Sequence, residues 1–242
     1  MMIHFEKWRK KLLNYRKDNG LKENYDQKME EQLKSLQGER KKLLLHSCCG
    51  PCSSSVLEYL KDYLEIDVYF YNPNITEREE YETRLEELKL FLKKIEFPMQ
   101  VLEGKYEVQK DFLEKIKGLE QEPETGARCK ICYALRMEEA ARKAKEEGYD
   151  YFTTVLSISP MKNAAWINEI GESLEQKYGI SFYTEILKEK SIFTFYPTFQ
   201  RIWHVSTGIL RLYFFKTGKG KKTKGERKKW LIFQKKQFVW YL

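Results

Sequence analysis

Short apolar segments rich in β-formers alternate along this chain with longer amphipathic ones. That alternation restricts the fold more than any single motif does. Residues 42–46 (K-L-L-L-H) read as a short buried strand, 66–71 alternates as a second, and 99–102 and 151–156 read as a third and a fourth. Helical patterning occupies 53–63, 78–94, 106–117 and 132–147 between them, with 24–36 before the first strand and 163–178 after the last. Thr76 stands where an N-cap is needed, with Glu79 completing a capping box, and Gly148 closes the 132–147 helix. Strands alternating with helices predict an α/β fold, a mostly parallel sheet flanked by helices. Sites in such folds form at the carboxyl ends of strands, where residues 46–52 and 157–162 fall.

The 242 residues suffice for one core with appendages, and 42% hydrophobic content is that of a globular protein. The expected organisation is a helical extension over 1–40, an α/β domain over 41–189 and an atypical basic tail over 190–242. No apolar run approaches the ~20 residues that span a bilayer. The first residues lack a signal-peptide core, so a reducing, cytoplasmic setting without a membrane partner is expected. Net charge is +8, but residues 216–236 carry that excess, with Glu226 their one acid. Charge alone is therefore weak support for a nucleic-acid partner.

The five cysteines fall in two clusters: Cys48, Cys49 and Cys52, then Cys129 and Cys132. Clustered thiols point to metal or redox chemistry rather than packing. Cys48, Cys49, Cys129 and Cys132 supply four soft thiolates, a set that selects zinc, Cu(I) or an iron–sulfur cluster. Adjacent side chains diverge, which suits the separate irons of a cluster better than one tetrahedral ion. A zinc-stabilised module stays open, and Cys52 is spare. A second parse takes Cys49-Gly-Pro-Cys52 as a thioredoxin-like pair after a strand. It leaves Cys48 and the second cluster without a role.

Other residues carry weaker signals. His46 is catalytic or merely structural, and Tyr71 ends a strand before the turn at Asn72-Pro73-Asn74. Ser157, Ser159, Lys162 and Asn163 lie between a strand and a helix, a place suited to phosphate or nucleotide contacts or to an ordinary cap. Tyr133 and Arg136 follow the C-x-x-C and face either a base or the core.

Four segments together resemble the QueH-type epoxyqueuosine reductases: L-L-L-H-S-C-C-G-P-C, Y-F-Y-N-P-N-I, E-x-G-A-R-C-x-x-C-Y-x-L-R-M-E-x-A-A and Y-D-Y-F-T-T-V-L-S-I-S-P-x-K-N. The resemblance covers about residues 24–185. It implies reduction of the epoxide of epoxyqueuosine at the tRNA wobble position, the last step of queuosine synthesis. It implies a 4Fe-4S cluster on Cys48, Cys49, Cys129 and Cys132, a tRNA partner and an electron donor. It implies a fold similar to the adenine-nucleotide α-hydrolases. On that basis His46 and Tyr71 are the catalytic candidates. Asn72, Asn74, Ser157, Ser159, Lys162 and Asn163 are the substrate-binding candidates.

The chain departs from that family at its end, where the resemblance calls for a C-G-C thiol pair and no cysteine follows Cys132. One permitted set of codons for residues 202–215, advanced by a single base, reads F-G-M-Y-R-Q-E-Y-C-G-C-I-F-S, the ending the family carries. A shifted reading frame from about residue 190 is therefore expected, with the Lys-rich end as out-of-frame translation and turnover impaired.

Overall fold

A computed structural model describes residues 25–184 of the chain, except 37, 97, 124, 160 and 161. The basic tail expected over 190–242 and most of the helical extension expected over 1–40 lie outside these residues. The elements run α1 (Tyr25–Ser35), β1 (Lys41–Ser47), α2 (Gly50–Leu60), β2 (Leu64–Phe70), α3 (Arg78–Lys94) and β3 (Val101–Glu103). They continue with α4 (Ala127–Glu146), β4 (Tyr151–Thr154), α5 (Ala164–Tyr178) and β5 (Ser181–Phe182). The five strands form one parallel sheet in the order β3-β2-β1-β4-β5. The α/β class expected from the alternation is what the chain adopts.

The centre of the sheet follows from the unbroken Leu43-Leu44-Leu45. A strand covered on both faces needs apolar side chains in both directions, and all three leucines are fully buried. Leu43 and Leu45 join a core with Leu57 and Leu60 of α2, Leu85 and Leu88 of α3 and Met29 of α1. Leu44 faces the opposite core with Met137 and Ala140 of α4, Ile167 and Leu174 of α5, Phe152 and Phe182. Burial of each such leucine contributes roughly 1.5–3 kcal/mol. Two acids pin the strand register. Asp150 Oδ2 accepts the Lys42 N–H at 2.8 Å, and Asp67 Oδ1 accepts the Gln100 N–H at 2.7 Å. Small residues set the helix–sheet spacing on the α5 side, where a Cβ at Gly171 would overlap the Phe182 ring.

Several local expectations shift, each for a visible reason. The helix after β1 begins at Gly50 rather than 53, with Pro51 in its first turn, where a missing N–H costs nothing. The α3 helix starts as expected at Arg78, but its N-cap is Glu77, and no side-chain cap is formed there. Thr76 thus lies one residue too early for a capping box. The segment 106–117 keeps only a π-helical turn, Gln109–Leu113; Phe112 and Ile116 are its buried anchors, too few to hold a longer helix. The α4 helix starts five residues earlier than expected and so contains both cysteines of the C-x-x-C, while Gly148 (φ 74) supplies the left-handed turn after it. Strand β4 ends at Thr154, whose hydroxyl accepts the Leu156 N–H at 3.2 Å and turns the chain into a 3-10 turn, Val155–Ile158.

Strand order decides where a site can form. After β1 the chain builds outwards to β2 and β3, then returns to place β4 and β5 on the other side of β1. Loops leaving β1 and β4 therefore lead to opposite faces, the kind of switch point where α/β sheets place their ligand crevices. The first cysteine loop and the 157–162 segment leave those two strands.

Candidate active site

The cysteine loop is held at both ends by backbone-directed hydrogen bonds. Asn72 Nδ2 donates to the Ser47 carbonyl at 2.9 Å, and Ser53 Oγ donates to the Cys49 carbonyl at 2.9 Å. Ser47 and Ser53 hydroxyls meet at 2.6 Å. Cys49 is the extended N-cap of α2 (φ -173°, ψ 159°), so Cys48 and Cys52 project beside it at a helix N-terminus, where the helix dipole favours negative charge. The Sγ atoms of Cys48, Cys49 and Cys52 all lie within 4.8 Å of one another, with Cys48 and Cys49 at 3.9 Å. The spare cysteine of the sequence reading is part of this group.

These thiols share negative charge unequally. Hydrogen bonds from the Cys49 and Cys52 thiols, then the charges of Lys162 and Arg136, hold Cys48 well below the usual thiol range. The Cys48 sulfur in turn pushes Cys49 up to about 12 and Cys52 well above its ordinary value. Arg84 of α3, paired with Glu80 at 2.7 Å, adds positive charge on the Cys49 side. Three clustered thiols, with cations from α3, α4 and the segment before α5 nearby, are a ready donor set for a soft metal.

Cys129 and Cys132 lie in the first turns of α4, both buried. Cys129 packs with the Tyr69, Tyr71 and Tyr133 side of the core, and Cys132 packs with Phe112 and Ile116. Neither belongs to the three-thiol group as the side chains stand. A polar bridge connects the two cysteine segments. Arg136 donates from Nε to the Cys132 carbonyl at 3.2 Å and from Nη1 to Asn72 Oδ1 at 3.4 Å, and Asn72 donates to Ser47.

His46 is fully buried with both ring nitrogens engaged. Nε2 donates to the Tyr71 carbonyl at 3.0 Å, which fixes the tautomer, and Nδ1 accepts from Thr154 Oγ1 at 2.8 Å. Burial, then the nearby Arg136 charge, lowers its pKa to about 4, so the ring is neutral at pH 7. It ties together the ends of β1, β2 and β4, and no ring nitrogen is left to exchange a proton with a substrate. Tyr71 is buried and stacked on Tyr69, ring centroids 6.0 Å apart and 7° from parallel. Burial and the carboxylate of Asp111 hold its phenol protonated, far above the usual range. Gly104 permits this stack, since a Cβ there would sit 2.7 Å from Tyr71 Cδ2.

The substrate candidates divide. Asn72 is fully buried with both amide atoms committed to Ser47 and Arg136, and Asn163 Oδ1 accepts the Trp166 N–H at 3.2 Å as the N-cap of α5. Asn74 Oδ1 and Ser157 Oγ are buried without a hydrogen-bond partner among the described residues. Ser159 and Lys162 are half-buried. Sequence reasoning left Cys52 spare and missed Arg84, Thr154 and Asp111. Only the third cysteine had a visible signal, since it lies one helical turn from Cys48 and Cys49; the others reach the site from distant segments.

The sequence model described as epoxyqueuosine reductase QueH matches residues 43–201. A Staphylococcus epidermidis protein of that name is 43% identical over 150 residues, 60% of this chain and 63% of that protein. The Streptococcus pyogenes serotype M1 protein is 37% identical over 174 residues, 69% of this chain and 68% of its own length. The Haemophilus influenzae protein is 44% identical over 138 residues, 57% and 55% of the two chains. The matched region thus spans a little over half to two thirds of these relatives. Among solved structures, the U34-tRNA thiolase NcsA from Methanococcus maripaludis with its 4Fe-4S cluster aligns at TM-score 0.47 and 14% identity, over 73% of this chain and 64% of that one. That likeness is too distant to bear on function. With its family match running unbroken from the central strand through both cysteine clusters, the chain belongs to the epoxyqueuosine reductase QueH family.

Proposed function

We propose that this chain is an epoxyqueuosine reductase that converts the epoxide of epoxyqueuosine at the tRNA wobble position to the cyclopentene of queuosine. The observation that carries this reading is the group of three thiols at the β1 end of the crevice, inside the segment shared with the family. The conversion consumes two electrons and two protons; both epoxide C–O bonds break, a C=C bond forms and the oxygen leaves as water. A donor not yet identified supplies the electrons.

The donor set fits a soft metal centre. Cys48, Cys49, Cys129 and Cys132 would hold a 4Fe-4S cluster, which supplies single-electron transfer and Lewis acidity when bound. Asn74 and Ser157 are offered to the substrate. A buried polar atom without a partner costs about 1–3 kcal/mol, a cost the bound nucleoside would relieve. Half-buried Lys162 and Ser159 are offered to the tRNA backbone. Tyr71 keeps its proton and remains the candidate donor. His46 acts as a clamp on three strand ends rather than as an acid or base. All five cysteines are free thiols. No described helix is long and apolar enough to cross a membrane. Without a C-G-C pair this copy is expected to turn over slowly.

Purification without oxygen, with a visible spectrum and counts of iron and sulfide, tests the reading. Brown protein with about four irons and four sulfides supports it, with Cys49→Ser losing the colour and Cys52→Ser keeping it. Colourless, zinc-loaded protein replaces it with a structural module. Metal-free protein with a reactive Cys49–Cys52 pair replaces it with the thioredoxin-like parse.

A further inference from the structure

We propose that Arg136 is a buried counter-ion for the thiolate-bound centre: it stabilises the more negative, reduced state of the bound group and does not meet the substrate. This rests on the metal reading above.

Arg136 is 4% exposed on the inner face of α4. Positions 129, 132 and 136 recur at three and four residues, so the guanidinium shares one helix face with both cysteines. Taking such a charge out of water costs several kcal/mol unless an anion accompanies it. Three other arginines of the described helices have that anion, while the half-buried Arg128 at the start of α4 donates to the Glu120 carbonyl. Arg78 pairs with Glu82, Arg84 with Glu80, and Arg142 with Glu139 and Glu146. Among the described residues Arg136 has no carboxylate ion pair. Its hydrogen bonds go to two neutral oxygens, the Cys132 carbonyl and Asn72 Oδ1. Asn72 is oriented by the Ser47 carbonyl, next to Cys48. The buried cation therefore lies between the two cysteine segments, bonded to the backbone of one and, through one amide, to the backbone of the other.

Thiolates gathered on a metal group supply the anion that no described carboxylate provides. Four thiolates give an iron–sulfur group a net negative charge, and an added electron makes it more negative. A fixed cation beside it favours the reduced form and raises the potential, since net charge and hydrogen bonding set such potentials. The same pairing makes the loaded state more stable relative to the empty one.

The test uses the full chain, reconstituted anaerobically with iron and sulfide, as wild type, R136K, R136Q and R136M. The readouts are iron and sulfide retained and the midpoint potential from a spectroelectrochemical titration. Loss of charge is expected to lower the reduced-to-oxidised ratio at least tenfold at the wild-type midpoint, equivalent to ~59 mV for one electron. R136K is expected to recover most of it. A potential for R136Q and R136M within twofold of wild type in that ratio overturns the proposal. So does equal recovery by R136K and R136Q, which would leave only a hydrogen-bonding role. Should R136M fail to fold, the R136K and R136Q pair still compares charge kept with charge lost. Wild type that takes up no iron and sulfide sinks the metal reading itself, a result visible before any variant is compared.

Discussion

At the residue scale, the site is governed by which polar atoms are already committed. His46 looks like an acid–base group on paper, but its two nitrogens hold Thr154 and Tyr71, and burial keeps it neutral. His46→Leu strands a buried hydroxyl and a buried carbonyl. The expected loss is about 1–3 kcal/mol for each group left unpaired, read as a lower urea midpoint. Unchanged stability with abolished turnover would return His46 to the catalytic list. The cysteines show the opposite case. Their capacity for metal was readable from identity and spacing, since no other residue type supplies soft anionic ligands in pairs. What spacing could not show was that Cys52 completes a three-thiol group. That depends on α2 starting at Gly50, which brings residue 52 to within 4.8 Å of the other two sulfurs.

Elements are set by caps and by covered faces. Two helix starts give a direct comparison. Asn163 accepts the Trp166 N–H at the head of α5, whereas Thr76 makes no side-chain cap at the head of α3. Asn163→Ala is expected to cost about 1 kcal/mol and Thr76→Ala close to nothing, checked by thermal melts of the two variants. Equal losses would place a capping bond at Thr76 after all. The helices and strands with strong periodicity were legible: α3 begins and ends at the expected residues, and α1 and α5 lie within one residue of the expected ends. The segment 106–117 was not, because its helical pattern has few buried anchors and tertiary packing kept only one turn. Strand β5 escaped notice for a similar reason. Two residues carry no period, and they become a strand only by pairing with β4.

For the whole molecule, strand order places chemistry. Cys48 and Ser157 are separated by more than a hundred residues, yet both follow strands at the point where the sheet changes its direction of growth. The family match ends at residue 201, next to the segment 202–215 whose alternative frame contains C-G-C. A chain carrying that frame is expected to reduce epoxyqueuosine-tRNA faster than the present one at equal iron content. Side-by-side turnover measurements check this, and equal rates would remove any need for a second thiol pair. Fold class and family membership were determined by the sequence alone, because hydrophobic period and motif combination are local properties. Tertiary structure alone decided the neutral clamp of His46, the full commitment of Asn72 and the burial of Arg136 without a carboxylate. Each of these depends on which distant backbone atom or charge lies within about 3 Å, and no pattern along the chain encodes that distance.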